Sequence, residues 1–344
     1  MIYSCSLEFD RALTAEQQAN ALREAGFTHC FLTWGLAGEG IGKVAAAHKA
    51  GLTVETIHAS YPGCNEMWLE GEVGEARTKY FLDCVRGTAM IGAKTMILHV
   101  SSGHQPPEMC ELAVQRFQRI CDEGERLGVN IAFENLTNIH YLHYVMERVH
   151  SPAKKYCYDC GHENLYYKND GVLERYSPLL VAIHLHDNAG DHDTHLLPFT
   201  AGIDFDRVAK RLAAVRFPEN PYAIQPAAAS PCKPATLAAS SADSTTFATS
   251  PASPADRATS ATYPASPADS TTFATSPASS NDSTAPIFPV GAPICTPAND
   301  EFPLPITLEL KANGSDSDLA RRAFAAATRI GELVKKYRNE LLTE

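Results

Sequence analysis

Six apolar runs of this chain each end on a side chain that binds metal ions or moves protons. His58 closes Thr-Val-Glu-Thr-Ile-His, His99 closes Thr-Met-Ile-Leu-His and Glu134 closes Asn-Ile-Ala-Phe-Glu. Asp159 closes Tyr-Cys-Tyr-Asp, His184 follows Val-Ala-Ile, and Glu309 closes Ile-Thr-Leu-Glu. Glu134, Asp159, His184 and Glu309 form a mixed oxygen and nitrogen donor set, suited to Mn2+, Co2+, Zn2+ or Mg2+, with room left for two adjacent substrate oxygens. Taken singly, each reads as a residue capping a strand or hydrogen-bonding at the surface. Gathered at one mouth, three desolvated carboxylates would repel one another without a cation.

A second set lies around the first. Asp159-Cys-Gly-His162 puts a histidine three residues past the aspartate, His184-Leu-His186-Asp187-Asn188 crowds one strand end, and Asp193-Thr-His195 follows. Eleven of the thirteen histidines fall between His58 and His195. Of these, His104, His140, His143, His150 and His192 read as solvated or packing residues. The ten cysteines are spread singly, many within apolar runs, which suits reduced thiols in a cytoplasmic protein. Cys157-Tyr-Asp-Cys160 has CxxC spacing, but a lone pair without a second is a weak zinc signal.

Scattered residues meet only if the elements carrying them are parallel. Strands are expected at Ile2–Glu8, His29–Thr33, Thr53–His58, Thr95–His99, Asn130–Glu134, Lys155–Asp159, Leu180–His184 and Ile306–Leu310. Helical stretches are expected at Thr14–Glu24, Ile41–Ala50, Gly74–Met90, Pro107–Leu127, Ile139–His150, Asp204–Val215 and Asp316–Asn339, with a short piece near Gly171–Tyr176. Strand and helix alternating through short links imply a parallel α/β sheet, and glycines at 26, 51, 92 and 128 stand where a helix must stop before the next strand. An open doubly wound sheet seldom loads so many strand ends with ligands, so a closed (β/α)8 TIM barrel is expected, its strand C-termini opening on one face. The 344 residues accommodate such a barrel of roughly 250 residues plus an insertion.

Residues 217–304 break the rhythm. They are dominated by Pro, Ala, Ser and Thr, and carry three tandem copies of a 13-residue repeat beginning at Ala242, Ala255 and Ala268. That composition buries too little apolar surface to offset ordering entropy, so a disordered low-complexity insert is expected before the last strand, on the face opposite the strand C-termini. The barrel domain is accordingly assigned to 1–216 plus 305–344.

The formal net charge of −11 argues against a general nucleic-acid surface, which needs clustered Lys and Arg. No basic segment followed by an apolar one opens the chain, and no apolar stretch approaches membrane-spanning length, so neither signal peptide nor membrane span is expected. A homo-oligomer is compatible with these features. No glycine-rich cradle of the P-loop kind is present, which neither demands nor excludes a phosphorylated substrate.

The motifs Ile57-His-Ala-Ser-Tyr, Glu134-Asn-Leu, Tyr158-Asp-Cys-Gly-His-Glu163 and His184-Leu-His-Asp-Asn resemble the xylose isomerase-like TIM-barrel superfamily. That superfamily groups sugar and sugar phosphate isomerases and epimerases with the endonuclease IV repair enzymes. The resemblance covers about residues 1–216 and resumes at 305. It implies metal ligands at Glu134, Asp159, His184 and Glu309. It also implies Glu134 and Glu309 as the catalytic pair that exchanges a proton through a metal-stabilised enediolate. The endonuclease branch additionally uses positions matching His58, His99, His162, Asp193 and His195 in a trinuclear zinc site, and all of them are filled here. In the isomerase branch these five would bind substrate or a further ion.

The text around the ligands, Gly161-His-Glu-Asn-Leu-Tyr and His195-Leu-Leu-Pro-Phe included, is similar to bacterial sugar isomerase and epimerase homologues. Phe199-Thr-Ala-Gly-Ile-Asp departs from their more glycine-rich turn. The expected function is therefore a metal-dependent isomerase or epimerase of carbohydrate metabolism acting on a small sugar. Zinc-dependent cleavage at abasic DNA is the alternative, and a catalytically idle binding scaffold a third reading. Trp34 and Trp68 are readable either as cover for a sugar's apolar face or as core.

Overall fold

Among the described residues, the first seven strands pair in parallel, each with the next in sequence, and the eighth pairs in parallel with the first. The computed structural model describes residues 1–35, 39–168, 170–224, 302–311 and 318–343. Its strands are β1 (Tyr3–Ser6), β2 (His29–Trp34), β3 (Thr53–Ala59), β4 (Thr95–His99), β5 (Asn130–Glu134), β6 (Lys154–Asp159), β7 (Leu180–His184) and β8 (Ile306–Leu308). The helices between and after them are α1 (Ala15–Ala25), α2 (Glu39–Lys49), α3 (Glu72–Met90), α4 (Glu111–Leu127), α5 (Ile139–Arg148), α6 (Cys160–Tyr166), α7 (Val172–Tyr176), α8 (Phe205–Ala214) and α9 (Leu319–Thr343). The sheet order is β7-β6-β5-β4-β3-β2-β1-β8. Its two ends meet just past β7, where Leu185 N–H reaches Thr307 O at 2.9 Å and Glu309 N–H reaches Leu185 O at 3.2 Å. The result is the expected TIM barrel.

Local chemistry sets the punctuation. Thr14 opens α1 with a reciprocal capping box: its hydroxyl accepts Gln17 N–H at 3.2 Å, and the Gln17 side chain accepts Thr14 N–H at 2.9 Å. Gly26 closes that helix at φ 115°, and a Cβ there would also lie 2.8 Å from the Phe324 ring. Outward strand residues pack on the helices, as Phe133 of β5 does edge-to-face on Phe117 of α4 at 5.7 Å. Inside the barrel, Ile97, Ala132, Cys157, Val181 and Ala182 form a separate small cluster, with Tyr222 packed against it.

Three elements beyond the expected set are 3-10 turns at Cys64–Trp68 and Ser177–Leu179 and helix α6. The helix expected from Pro107 starts at Glu111. The barrel's packing also extends past residue 216. Phe217 and Phe302 are buried against each other at 5.3 Å, Leu304 is buried, and Asn130 Nδ2–H reaches Tyr222 O at 3.1 Å. The rest of the expected insert, including all three repeats, lies outside the described residues. Trp34 and Trp68 both belong to the core, Trp68 donating Nε1–H to Val100 O at 2.8 Å.

Candidate functional site

At the C-terminal ends of β3 to β8 the expected residues meet. Glu134, fully buried at the end of β5, is the hub. Its Oε2 lies 3.1 Å from His58 Nε2 and 3.0 Å from His99 Nε2, and its Oε1 lies 3.1 Å from His184 Nδ1. Glu309 Oε2 approaches the same His184 Nδ1 at 3.1 Å. Ligand atoms of Glu134, Asp159, His184 and Glu309 all fall within 4.8 Å of one another, as do those of His58, His99 and Glu134. A third group, His162, His186, Asp193 and His195, meets the same limit. All nine residues singled out in the sequence are therefore in these three groups.

The imidazoles are aimed by the backbone. His58 Nδ1–H donates to Ala59 O at 2.8 Å, His162 Nδ1–H to Asn135 O at 3.0 Å and His195 Nδ1–H to Glu309 O at 3.1 Å. A carbonyl only accepts, so the proton is on Nδ1 and Nε2 is the free nitrogen, turned toward a carboxylate. His58 Nε2 then faces Glu134 Oε2 lone pair to lone pair unless it is protonated too or a cation lies between them. Asp159 Oδ2 and His184 Nε2 are buried atoms without a hydrogen-bond partner among the described residues. Buried polar atoms are seldom left so, and the Asp159 oxygen belongs to the donor set that suits a divalent ion.

Electrostatics run the same way. Burial pushes the Glu134 carboxyl up, but the His184 and His99 imidazoles outweigh it and hold the group well below the usual carboxylate range. Glu309 behaves alike, with burial opposed by His184 and His195. Burial pulls His162 down, while Asp159, Asp193 and Glu134 raise it to about 10. Those protons sit where a divalent ion would compete for the same oxygens, so ion binding would release them.

Three supporting residues carry no role in the sequence reading. His186, fully buried, lies 3.2 Å from Asp159 Oδ1 by its Nε2 and stacks on His195 at 4.0 Å. The available signal was period two: His184 and His186 share a strand face. Asn135 ties β5 to β6, giving Nδ2–H to Asp159 O and accepting Asp159 N–H at Oδ1, both at 2.8 Å. Asp187 accepts the N–H groups of Thr200, Ala201 and Ile203 at 3.0, 2.8 and 2.9 Å, which fixes the loop carrying Asp193 and His195. That loop includes Phe199 at φ 69°, in the left-handed region that residues other than glycine seldom adopt.

Above the cluster opens a cavity of about 340 Å3, its walls including Phe31, Tyr61, Leu136 and Tyr166. Phe31 stacks on His184 at 4.8 Å and Tyr61 leans on His99 at 5.5 Å. The size and the apolar rim over a polar floor suit a small ligand. Neither tryptophan lines it.

Residues 19–243 match the family model described as xylose isomerase-like TIM barrel. The chain belongs to that family. An uncharacterized protein, y4fM, of Sinorhizobium fredii (strain NBRC 101917 / NGR234) is 31% identical over 239 residues, 57% of this chain and 76% of that protein. Among solved structures, an L-ribulose 3-epimerase aligns with a TM-score of 0.52 at 17% identity, over 62% of this chain and 78% of its own. The apo 3-keto-D-glucoside 4-epimerase YcjR of E. coli aligns at 0.51 and 19% identity, over 63% and 88%. At these identities the likeness is one of fold.

Proposed function

We propose that this family member is a divalent-metal-dependent isomerase or epimerase of a small polyhydroxylated carbonyl compound, a sugar or sugar phosphate. The observation carrying the reading is the convergence of Glu134, Asp159, His184 and Glu309 beneath a small-molecule cavity. Epimerase structures among the fold's neighbours support it. The four residues would hold Mn2+, Co2+, Zn2+ or Mg2+. A bound ion supplies Lewis-acid stabilisation of the negative charge that develops on the substrate's oxygens.

The chain's own residues do the rest. Glu134 and Glu309 come from strands three places apart round the barrel, and each lies 3.1 Å from His184 Nδ1. One carboxylate takes the proton from the carbon next to the carbonyl, and the electron pair moves onto the carbonyl oxygen as an enediolate. The other returns a proton, to the same carbon in epimerisation or to its neighbour in isomerisation. His162 and His195 orient substrate hydroxyls, and the aromatic rim excludes water.

The test is elemental analysis of protein purified without chelator, then a panel of ketoses and aldoses with the bound metal. Glu134→Gln is expected to lose at least a hundredfold in kcat while circular dichroism stays native. Bound metal without turnover of any panel member would overturn the reading. One observation favours a second one: all three ligand groups are formed, as a multinuclear phosphodiesterase needs. About three zinc ions per chain with cleavage of abasic duplex would establish that alternative. The net charge of −11 opposes it, because DNA backbone binding rests on cationic contacts.

A further inference from the structure

Strand β8 and its extension present alternate residues to the barrel interior. Thr307 gives its hydroxyl hydrogen to Glu55 Oε1 at 2.7 Å inside the barrel, Glu309 joins the ligand cluster, and Lys311 lines the cavity above. The backbone is pinned on both sides of that last step. Ser6 Oγ both accepts Leu310 N–H and donates to Leu310 O at 3.2 Å, and Lys311 N–H reaches His195 O at 3.2 Å. Lys311 is thus presented from fixed backbone about 6.6 Å along the strand from Glu309, two residues at the usual rise.

The charges around it are already matched. Glu8 of the cavity wall pairs with Lys43, Glu309 with His184, and Asp193 with His195 and His162. Lys311 has no carboxylate within ion-pair distance among the described residues. Among the described residues lining the cavity it is the one lysine or arginine, in a molecule whose net charge of −11 would otherwise repel an anion. A neutral polyol gives such an ammonium nothing to pair with.

Resting on the isomerase reading above, we propose that Lys311 determines specificity by pairing with an anionic group, phosphate or carboxylate, at the end of the substrate remote from its carbonyl. The substrates are then sugar phosphates or sugar acids. The ligand cluster handles the carbonyl end, and the lysine stem spans the remaining distance to the far end of a five- or six-carbon chain.

The experiment uses the full-length, Mn2+-loaded protein with D-fructose, D-fructose 6-phosphate and D-fructuronate, whose carboxylate stands at the end remote from the ketone, followed by kinetics and by binding calorimetry. At least one anionic compound is expected to show a KM about tenfold or more below that of D-fructose, with an advantage that shrinks as salt rises. Lys311→Met should raise the KM of that compound about tenfold more than the KM of D-fructose, with a smaller change in kcat, and Lys311→Arg should recover part of it. Preference for the phosphate or for the acid identifies which anion is used. Equal KM values for neutral and anionic compounds, or a Lys311→Met effect equal on all three, would overturn the proposal. If none is turned over, the isomerase reading fails, and calorimetry still decides Lys311. Tighter binding of an anionic compound that Lys311→Met abolishes sustains the pairing, and equal or absent binding overturns it.

Discussion

At Gly161 the backbone runs so close to His186 that a Cβ would lie 2.0 Å from the ring. The ring cannot retreat freely, because it is stacked on His195 at 4.0 Å and faces Asp159 Oδ1 at 3.2 Å. Gly161→Ala should therefore push His186 into both ligand groups. The expected outcome is a fold retained by circular dichroism with metal affinity lowered about 10- to 100-fold, the usual scale for disturbing a ligand's support. Equilibrium dialysis against a metal buffer measures it, and unchanged affinity would show that His186 carries no such role. The six strand-end residues were legible because an apolar run stopping on a charged or imidazole group marks a mouth. His186 was noticed in the crowded stretch after His184 but given no role, since the run had already stopped at His184. Only the continued pairing of Leu185 with Leu308 carries the extended chain, and with it the alternate face, two residues further. The tryptophans were ambiguous because residue type alone does not separate a sugar platform from a core ring.

The strands were readable almost to the residue, because apolar runs set off by helix-stopping glycines leave little choice of boundary. Helix α6 was missed for a physical reason. It is seven residues long, too short to show a helical period, and its N-cap is Asp159, which accepts His162 N–H at 2.7 Å. One side chain is both helix cap and candidate ligand. A bulge was equally invisible: Cys30 and Phe31 of β2 pair with Val54 and Thr56, leaving Glu55 as the extra residue on β3. That residue turns inward to Thr307 at the end of the barrel opposite the ligand cluster. Burial pushes its carboxyl up to about 7, against the lowering effect of hydrogen bonds from Thr307 and Ser4. A raised pKa in the folded state means that the folded protein binds the extra proton between the ordinary value of 4.5 and about 7. The stability linked to this group is complete below that window and lost as pH rises through it. Thermal unfolding at fixed metal concentration should therefore show the wild type losing more stability between pH 5 and pH 8 than Glu55→Gln. Parallel pH slopes for the two proteins would refute the placement.

For the whole molecule, the barrel gathers the candidate site at the strand C-termini and leaves the links from helix to strand at the other end. The low-complexity segment lies in sequence between α8 and β8. Its composition announced a break in the alternation, but composition could not set where barrel packing stops. That limit is given by buried aromatic contact, Phe217 on Phe302 at 5.3 Å, and by Lys155 Nζ–H reaching Ala223 O at 3.2 Å. Replacing residues 225–301 with a short flexible linker therefore keeps every contact just named and every residue of the three ligand groups. Because Ile224 and Pro303 line the same cavity, the chain ends to be joined are near enough for such a linker, and shortening a loop changes closure entropy only slowly. The excised protein is expected to keep its metal content and turnover, with its melting temperature within about 2 °C of the full chain. A fall in metal content or a lower melting temperature would assign the segment a part in holding the barrel. That result would place the domain boundary inside residues 225–301, because the contacts on either side remain in the shortened chain.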